Sequence, residues 1–130
     1  MLSIRASDVF EIYRVSDDGI NRVYVSPFKH IPKTWKKGGG HAIDYNQSIG
    51  GIKNIAVSDD LICFSLFLQN YNEAAKTDFA SNELFCFDWD GNKVKKYVLP
   101  FPIGNFCIDG THIYGVRNFE DKIIIYRFNM

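Results

Sequence analysis

The sequence predicts an all-β chain built from four-stranded antiparallel units. Three observations lead there. Aromatic residues make up 15% of the 130 residues, with 11 Phe and 7 Tyr, a bias toward strands. Short β-rich runs alternate with Asp- and Gly-containing turns along most of the chain. Those runs then recur in the same order.

In chain order, Val9 to Val15 is β-rich, Ser16-Asp17-Asp18-Gly19 breaks it, and Arg22 to Ser26 resumes, the pattern of a hairpin. From Pro27 to Gly51 the pattern fails. Pro27, Pro32, Gly38-Gly39-Gly40 and Gly50-Gly51 predict a long loop there. Strands return at Ile52 to Ser58, turn at Asp59-Asp60, and continue from Leu61 to Gln69. A polar loop is expected over Asn70 to Ser81, with at most one helical turn at Glu73 to Lys76. Glu83 to Trp89 pairs through Asp90-Gly91-Asn92 with Lys93 to Leu99, and Pro100 and Pro102 are expected to end that unit. Asn105 to Ile108 turns at Asp109-Gly110 into Thr111 to Arg117, and Lys122 to Phe128 follows.

The repeat appears when these runs are laid over one another. Asn54-Ile55-Ala56-Val57-Ser58 matches Asn105-Phe106-Cys107-Ile108-Asp109. Leu84-Phe85-Cys86-Phe87 matches Ile123-Ile124-Ile125-Tyr126. Ile12-Tyr13-Arg14-Val15 matches Ile125-Tyr126-Arg127-Phe128, and Arg22-Val23-Tyr24-Val25 matches Lys95-Lys96-Tyr97-Val98. The unit has four strands, A to D. Residues 52–99 hold a complete copy, 9–26 hold strands C and D of the one before, and 104–128 hold strands A to C of the one after.

Four antiparallel strands recurring at roughly 40–50 residues are the mark of a β-propeller. Leu84 to Phe87 is apolar at every position, which suits a strand covered on both sides. The expected architecture is a single domain over residues 1–130, a partial ring of propeller blades, with a β-sandwich or small barrel as the alternative. A closed ring takes at least about four blades, and the chain supplies a little over two. An open ring exposes apolar faces and a free strand edge, so self-association is expected. Met1 to Arg5 is a candidate for the missing strand beside Lys122 to Phe128.

The order of motifs resembles the TolB-like six-bladed propeller proteins of gut anaerobic bacteria. The carrying segments are Ile12-Tyr13-Arg14-Val15, Tyr24-Val25 with Phe28-Lys29 and Ile31-Pro32, and Asp59 to Ser65. Leu84-Phe85-Cys86-Phe87-Asp88-Trp89-Asp90-Gly91-Asn92 with Lys93 to Tyr97 carries most, followed by Phe106 to Asp109 and Ile113-Tyr114-Gly115. The resemblance covers Val9 to Phe128. Members are often exported and carry no agreed catalytic residues, so the resemblance implies a location in the bacterial cell envelope and supplies no functional residue. The chain departs from that family in being about half its usual length and in showing no export signal. Without the resemblance, a cytoplasmic location is the default.

Charge narrows the partners. Lys+Arg and Asp+Glu number 15 each, for a net charge of zero. That argues against a nucleic-acid partner and against docking on an anionic membrane. The longest apolar run, Leu61 to Leu68, is too short to span a bilayer. Cys63, Cys86 and Cys107 show no CxxC pattern, so neither zinc nor a disulfide framework is expected. Three buried thiols are the first reading, with a Cys63–Cys86 bridge between neighbouring strands as the alternative.

No catalytic residue, metal site or cofactor is assigned. Asn54 and Asn105 head strand A, which in a propeller lines the central channel, so they are candidate ligand-binding residues; local turn capping is their alternative role. Trp35, in the long basic loop, is a third candidate, for sugar stacking or partner binding, against an anchoring role. Asp88, Asp90 and Asn92 lack the spacing of a calcium loop and read as a hairpin turn. Lys36 to His41 lacks the order of a phosphate loop and reads as a connector. The expected function is a non-catalytic binding or scaffold module, with a protein or carbohydrate ligand. A channel-sited hydrolase or lyase, or a propeller fragment without independent function, is the alternative.

Overall fold

Alternating apolar runs and left-handed turns produce antiparallel sheets in the computed structural model, which describes residues 2–3, 7–26, 30, 32–77 and 79–130. The first sheet joins β1 (Leu2–Ser3), β2 (Phe10–Ser16) and β3 (Gly19–Val25) in that order. A small hairpin follows, β4 (Thr34–Lys37) with β5 (Gly40–Ile43). The central sheet is a four-stranded meander of β6 (Ile49–Val57), β7 (Ile62–Asn70), β8 (Ser81–Phe87) and β9 (Lys93–Ile103). The last sheet is β10 (Asn105–Ile108), β11 (His112–Phe119) and β12 (Lys122–Asn129). One short helix, α1 (Tyr71–Ala75), joins β7 to β8 and is capped by Asn70, whose side chain accepts from the Glu73 N–H at 2.9 Å.

The central sheet is covered on both sides, and strand alternation sorts its residues. Ile62 and Phe64 of β7 join Phe10 and Ile12 of the first sheet in one buried cluster, with Phe85 and Phe87 of β8 packed against it. Phe10 stands 5.0 Å from Phe64 and 5.1 Å from Phe87, centroid to centroid. The alternate residues Cys63, Leu84 and Cys86 join Phe106 and Ile113 of the last sheet in a second cluster. Three sheets thus stack face to face through two apolar layers, as the all-apolar strand at Leu84 to Phe87 predicts. Two glycines permit the close approach. A Cβ on Gly91 would lie 2.2 Å from the Tyr24 ring, and one on Gly115 would lie 2.8 Å from Ile103 Cδ1.

Several expectations need correction. The segment from Pro27 to Gly51 is not one loop, although Pro27 to Lys29 and Ile31 lie outside the described residues. Gly38 and Gly39 both take positive φ, 56° and 84°, and make the two-residue turn that pairs Lys37 with Gly40. The glycines read as breakers therefore build a hairpin. Pro100 and Pro102 do not end β9. It is the outermost strand, and its pairing with β8 jumps from Val98 to Ile103, so neither proline has to donate to a ladder. Leu2 and Ser3 pair with Glu11 and Phe10 rather than with β12, while Met1, Ile4 and Arg5 lie outside the described residues.

Cys63 and Cys86, directly opposite in the β7–β8 register, form a disulfide with Cα atoms 4.1 Å apart, and Cys107 is free and exposed. The expected trio of buried thiols is therefore wrong on both counts. The alternative reading, a Cys63–Cys86 bridge between neighbouring strands, is the one that forms. No helix among the described residues is long and apolar enough to cross a membrane.

Candidate functional site

Strand A of the central sheet and strand A of the last sheet, β6 and β10, lie side by side. Asn54 pairs with Ser65 just after a register shift that leaves Lys53 unpaired, and its Nδ2 donates to the Phe106 carbonyl at 2.9 Å. A bulge re-aims a side chain, and here it lets Asn54 tie one sheet to the next. Asn105, the matching asparagine, is exposed and lines an open pocket of about 370 Å³. Lys76, Thr77, Arg117 and Asn118 also line it.

This pocket presents N–H and O–H donors from the last sheet and the α1 connector. The Arg117 guanidinium is held over two rings, 5.5 Å from Phe101 and 5.7 Å from Phe119. Lys76 pairs with Glu73 at 2.8 Å on the open surface. Such a donor set suits carboxylate or hydroxyl oxygens. Trp35 is half exposed on β4, opposite Ala42 in the hairpin. The structure thus brings the two strand-A positions together and sets Trp35 on a separate element.

A second cleft, of about 310 Å³, opens between the first and central sheets over Phe10, Tyr24, Phe64 and Phe87. At its rim His30 Nδ1 lies 3.1 Å from Asp8 Oδ2, and the His30 N–H donates to Asp8 Oδ1 at 3.3 Å. Sequence reasoning missed this pair. Asp8 and His30 carry no motif spacing and meet only because β2 and β3 fold back as a hairpin.

A family model described as TolB-like 6-blade propeller-like matches residues 1–111. The chain belongs to this family. No curated protein and no solved structure matches the chain. In TolB-like terms the three stacked antiparallel sheets are consistent with a partial propeller.

The turns of these TolB-like blades are tied by aspartates rather than by metal-ligand geometry. Asp88 accepts from the Asn92 side-chain amide at 2.9 Å, and from the backbone N–H groups of Asn92 at 2.8 Å and Asp90 at 3.0 Å. These bonds, the Asn92 amide foremost, hold its carboxyl below the usual range. Asp109 does the same in the β10–β11 turn. It accepts from the N–H groups of Thr111 at 2.9 Å and His112 at 2.7 Å, which push its carboxyl well below the carboxylate range. The Tyr114 hydroxyl donates to Asp109 at 2.9 Å, and its own pKa rises because that bond favours the neutral phenol. The Asp88-Asp90-Asn92 group is therefore the turn its sequence suggests. Among the described residues, no three His, Cys, Asp or Glu side chains converge as metal ligands would.

Proposed function

We propose that this chain is a non-catalytic binding or scaffold module of propeller type that self-associates. The observation that carries the reading is the pair of open end faces. Val15 and Ile20 of the first blade and Ile123 and Ile125 of the last are all exposed, and the central-blade counterparts of the two isoleucines of β12, Leu84 and Cys86, are fully buried. Contiguous exposed apolar side chains at blade positions favour association. Light scattering across a hundredfold dilution series tests it. A mass that falls toward 14.9 kDa on dilution is expected, and a constant monomer mass refutes the self-association.

A ligand site follows the same logic. The pocket around Asn105 and Arg117 offers donors to a carbohydrate or to an acidic side chain of a protein partner. Arg117→Ala is expected to abolish such binding in a glycan or peptide array read by fluorescence. Binding unchanged by Arg117→Ala would place the ligand elsewhere, with Trp35 as the next candidate.

The cell envelope is the proposed location. Its support is the family and the Cys63–Cys86 disulfide, since disulfides persist in oxidising compartments. Alkylation of intact cells before lysis should leave Cys63 and Cys86 unmodified. Labelling of Cys63 and Cys86 would point to a reducing compartment.

A further inference from the structure

The repeat identifies what belongs on the open face of the last blade. Leu84 and Cys86 point from the central blade to the last blade and are 0% exposed. Ile123 and Ile125 hold the same two repeat positions in β12 and are 74% and 69% exposed. Cys107 stands where Ala56 stands; Ala56 is buried and Cys107 is open. Register places Cys107, Tyr114 and Arg127 in one cross-strand row, and Asn105, Val116 and Ile125 in the next. This face has the composition of an inter-blade layer, and the layer inside the chain that it continues is built from another blade of the same repeat.

Charge says which blade completes it. Inside the chain, Arg14 of the first blade reaches the β8–β9 turn of the central blade, Nη2 to Asp90 Oδ1, at 3.6 Å. Arg127 holds the position of Arg14 in the repeat. The equivalent turn of the first blade, between β2 and β3, carries Asp17 and Asp18. The first blade's own open face offers Val15 and Ile20, 76% and 69% exposed.

We infer that the open face of the last blade docks the first blade of a second copy of this chain, with Arg127 set against the partner's Asp17 and Asp18. The inference deepens the self-association proposed above and rests on it. Two copies joined at both ends place six blades around one axis, the number that describes the family. The isoleucines supply the affinity, and the exposed Arg–Asp pairing sets the register, because such a pair adds little energy by itself.

The experiment is sedimentation velocity on the whole chain and three variants, with maleimide labelling of Cys107 alongside. The unaltered chain is expected at twice 14.9 kDa. Ile125→Asp is expected to weaken the dimer by about tenfold or more, with unchanged circular dichroism, since Ile125 is exposed in a single chain. Arg127→Asp is expected to weaken it a few-fold, and Arg127→Asp combined with Asp17→Lys and Asp18→Lys to restore it. Cys107 should label slowly in the dimer and quickly in Ile125→Asp. A dimer that keeps its affinity in Ile125→Asp and Arg127→Asp overturns this docking while leaving self-association intact. A monomer at every concentration overturns both. An open-ended series of larger masses overturns closure by two copies.

Discussion

Leu84 and Cys86 of the central blade and Ile123 and Ile125 of the last blade occupy the same two places in the repeat. The first pair is fully buried and the second is largely open. Both strands are apolar on both faces, because a blade strand is written to be sandwiched. The difference lies in the neighbours. The central blade has a sheet on either side, whereas the last blade has one only. Composition therefore reports the environment for which a strand is built, and the environment it occupies depends on what packs beside it.

The largest effect should separate those two positions directly. In dilute, monomeric protein, Leu84→Ala should cost about 2–5 kcal/mol in urea unfolding, from lost burial and the cavity left behind. Ile123→Ala should cost less than about 0.5 kcal/mol under the same conditions. Equal costs would mean that the last blade is covered within one chain.

Next comes the disulfide, which the central blade has and the last blade lacks. It closes a loop of sequence separation 23. Replacing Cys63 and Cys86 with alanine should lower stability by about 2–4 kcal/mol, with the same loss on adding reductant to the unaltered chain. Reductant should leave the alanine variant unaffected. A reductant effect there would trace to Cys107 instead.

Two turn glycines sharpen the comparison further. Gly91 and Gly110 have nearly equal φ, 88° and 90°, so alanine at either suffers the same left-handed strain, about 1–2 kcal/mol. Only Gly91 also faces a packed ring from the neighbouring blade. Gly91→Ala should therefore lose about 1–3 kcal/mol more than Gly110→Ala. Thermal melts that shift equally would show that Tyr24 yields without cost.

The smallest effect is the pH dependence carried by the last blade. The folded-state pKa of Asp109 is depressed by the Thr111 and His112 N–H groups. Its stabilisation is therefore present above the unfolded carboxylate pKa, near about 4, and is lost as pH falls below it. Asp109→Asn should flatten the acid limb of the melting temperature by lowering the neutral plateau, and barely move the acid end. An acid limb of unchanged slope would assign that limb to Asp88 or to other carboxylates.

Much of the fold was legible because strands and turns are local. Asp-Gly and Asp-Asp turns, aromatic runs and the ordered recurrence of Leu84 to Phe87 at Ile123 to Tyr126 give the blades from sequence alone. What failed was read one residue at a time. Gly38-Gly39 looked like a breaker and is a turn of the hairpin kind, because paired positive φ matches the twist of flanking strands. Pro100 and Pro102 looked like a stop and sit on an edge, where the missing N–H costs no ladder bond. The candidate site was half legible. Asn54 and Asn105 were found through the repeat, but the repeat does not say that one is spent on the Phe106 carbonyl while the other opens to a pocket.

The sequence by itself determined the all-β class, the four-strand unit and the neutral charge, because periodicity, turn chemistry and composition act over a few residues. Only the tertiary structure decided that Cys63 meets Cys86, that Asp8 meets His30, and that Ile123 and Ile125 stand open while Leu84 and Cys86 are sealed. Those outcomes depend on cross-strand register and on which sheet lies against which. Register and stacking are set by contacts between residues far apart in the chain, which no local pattern encodes.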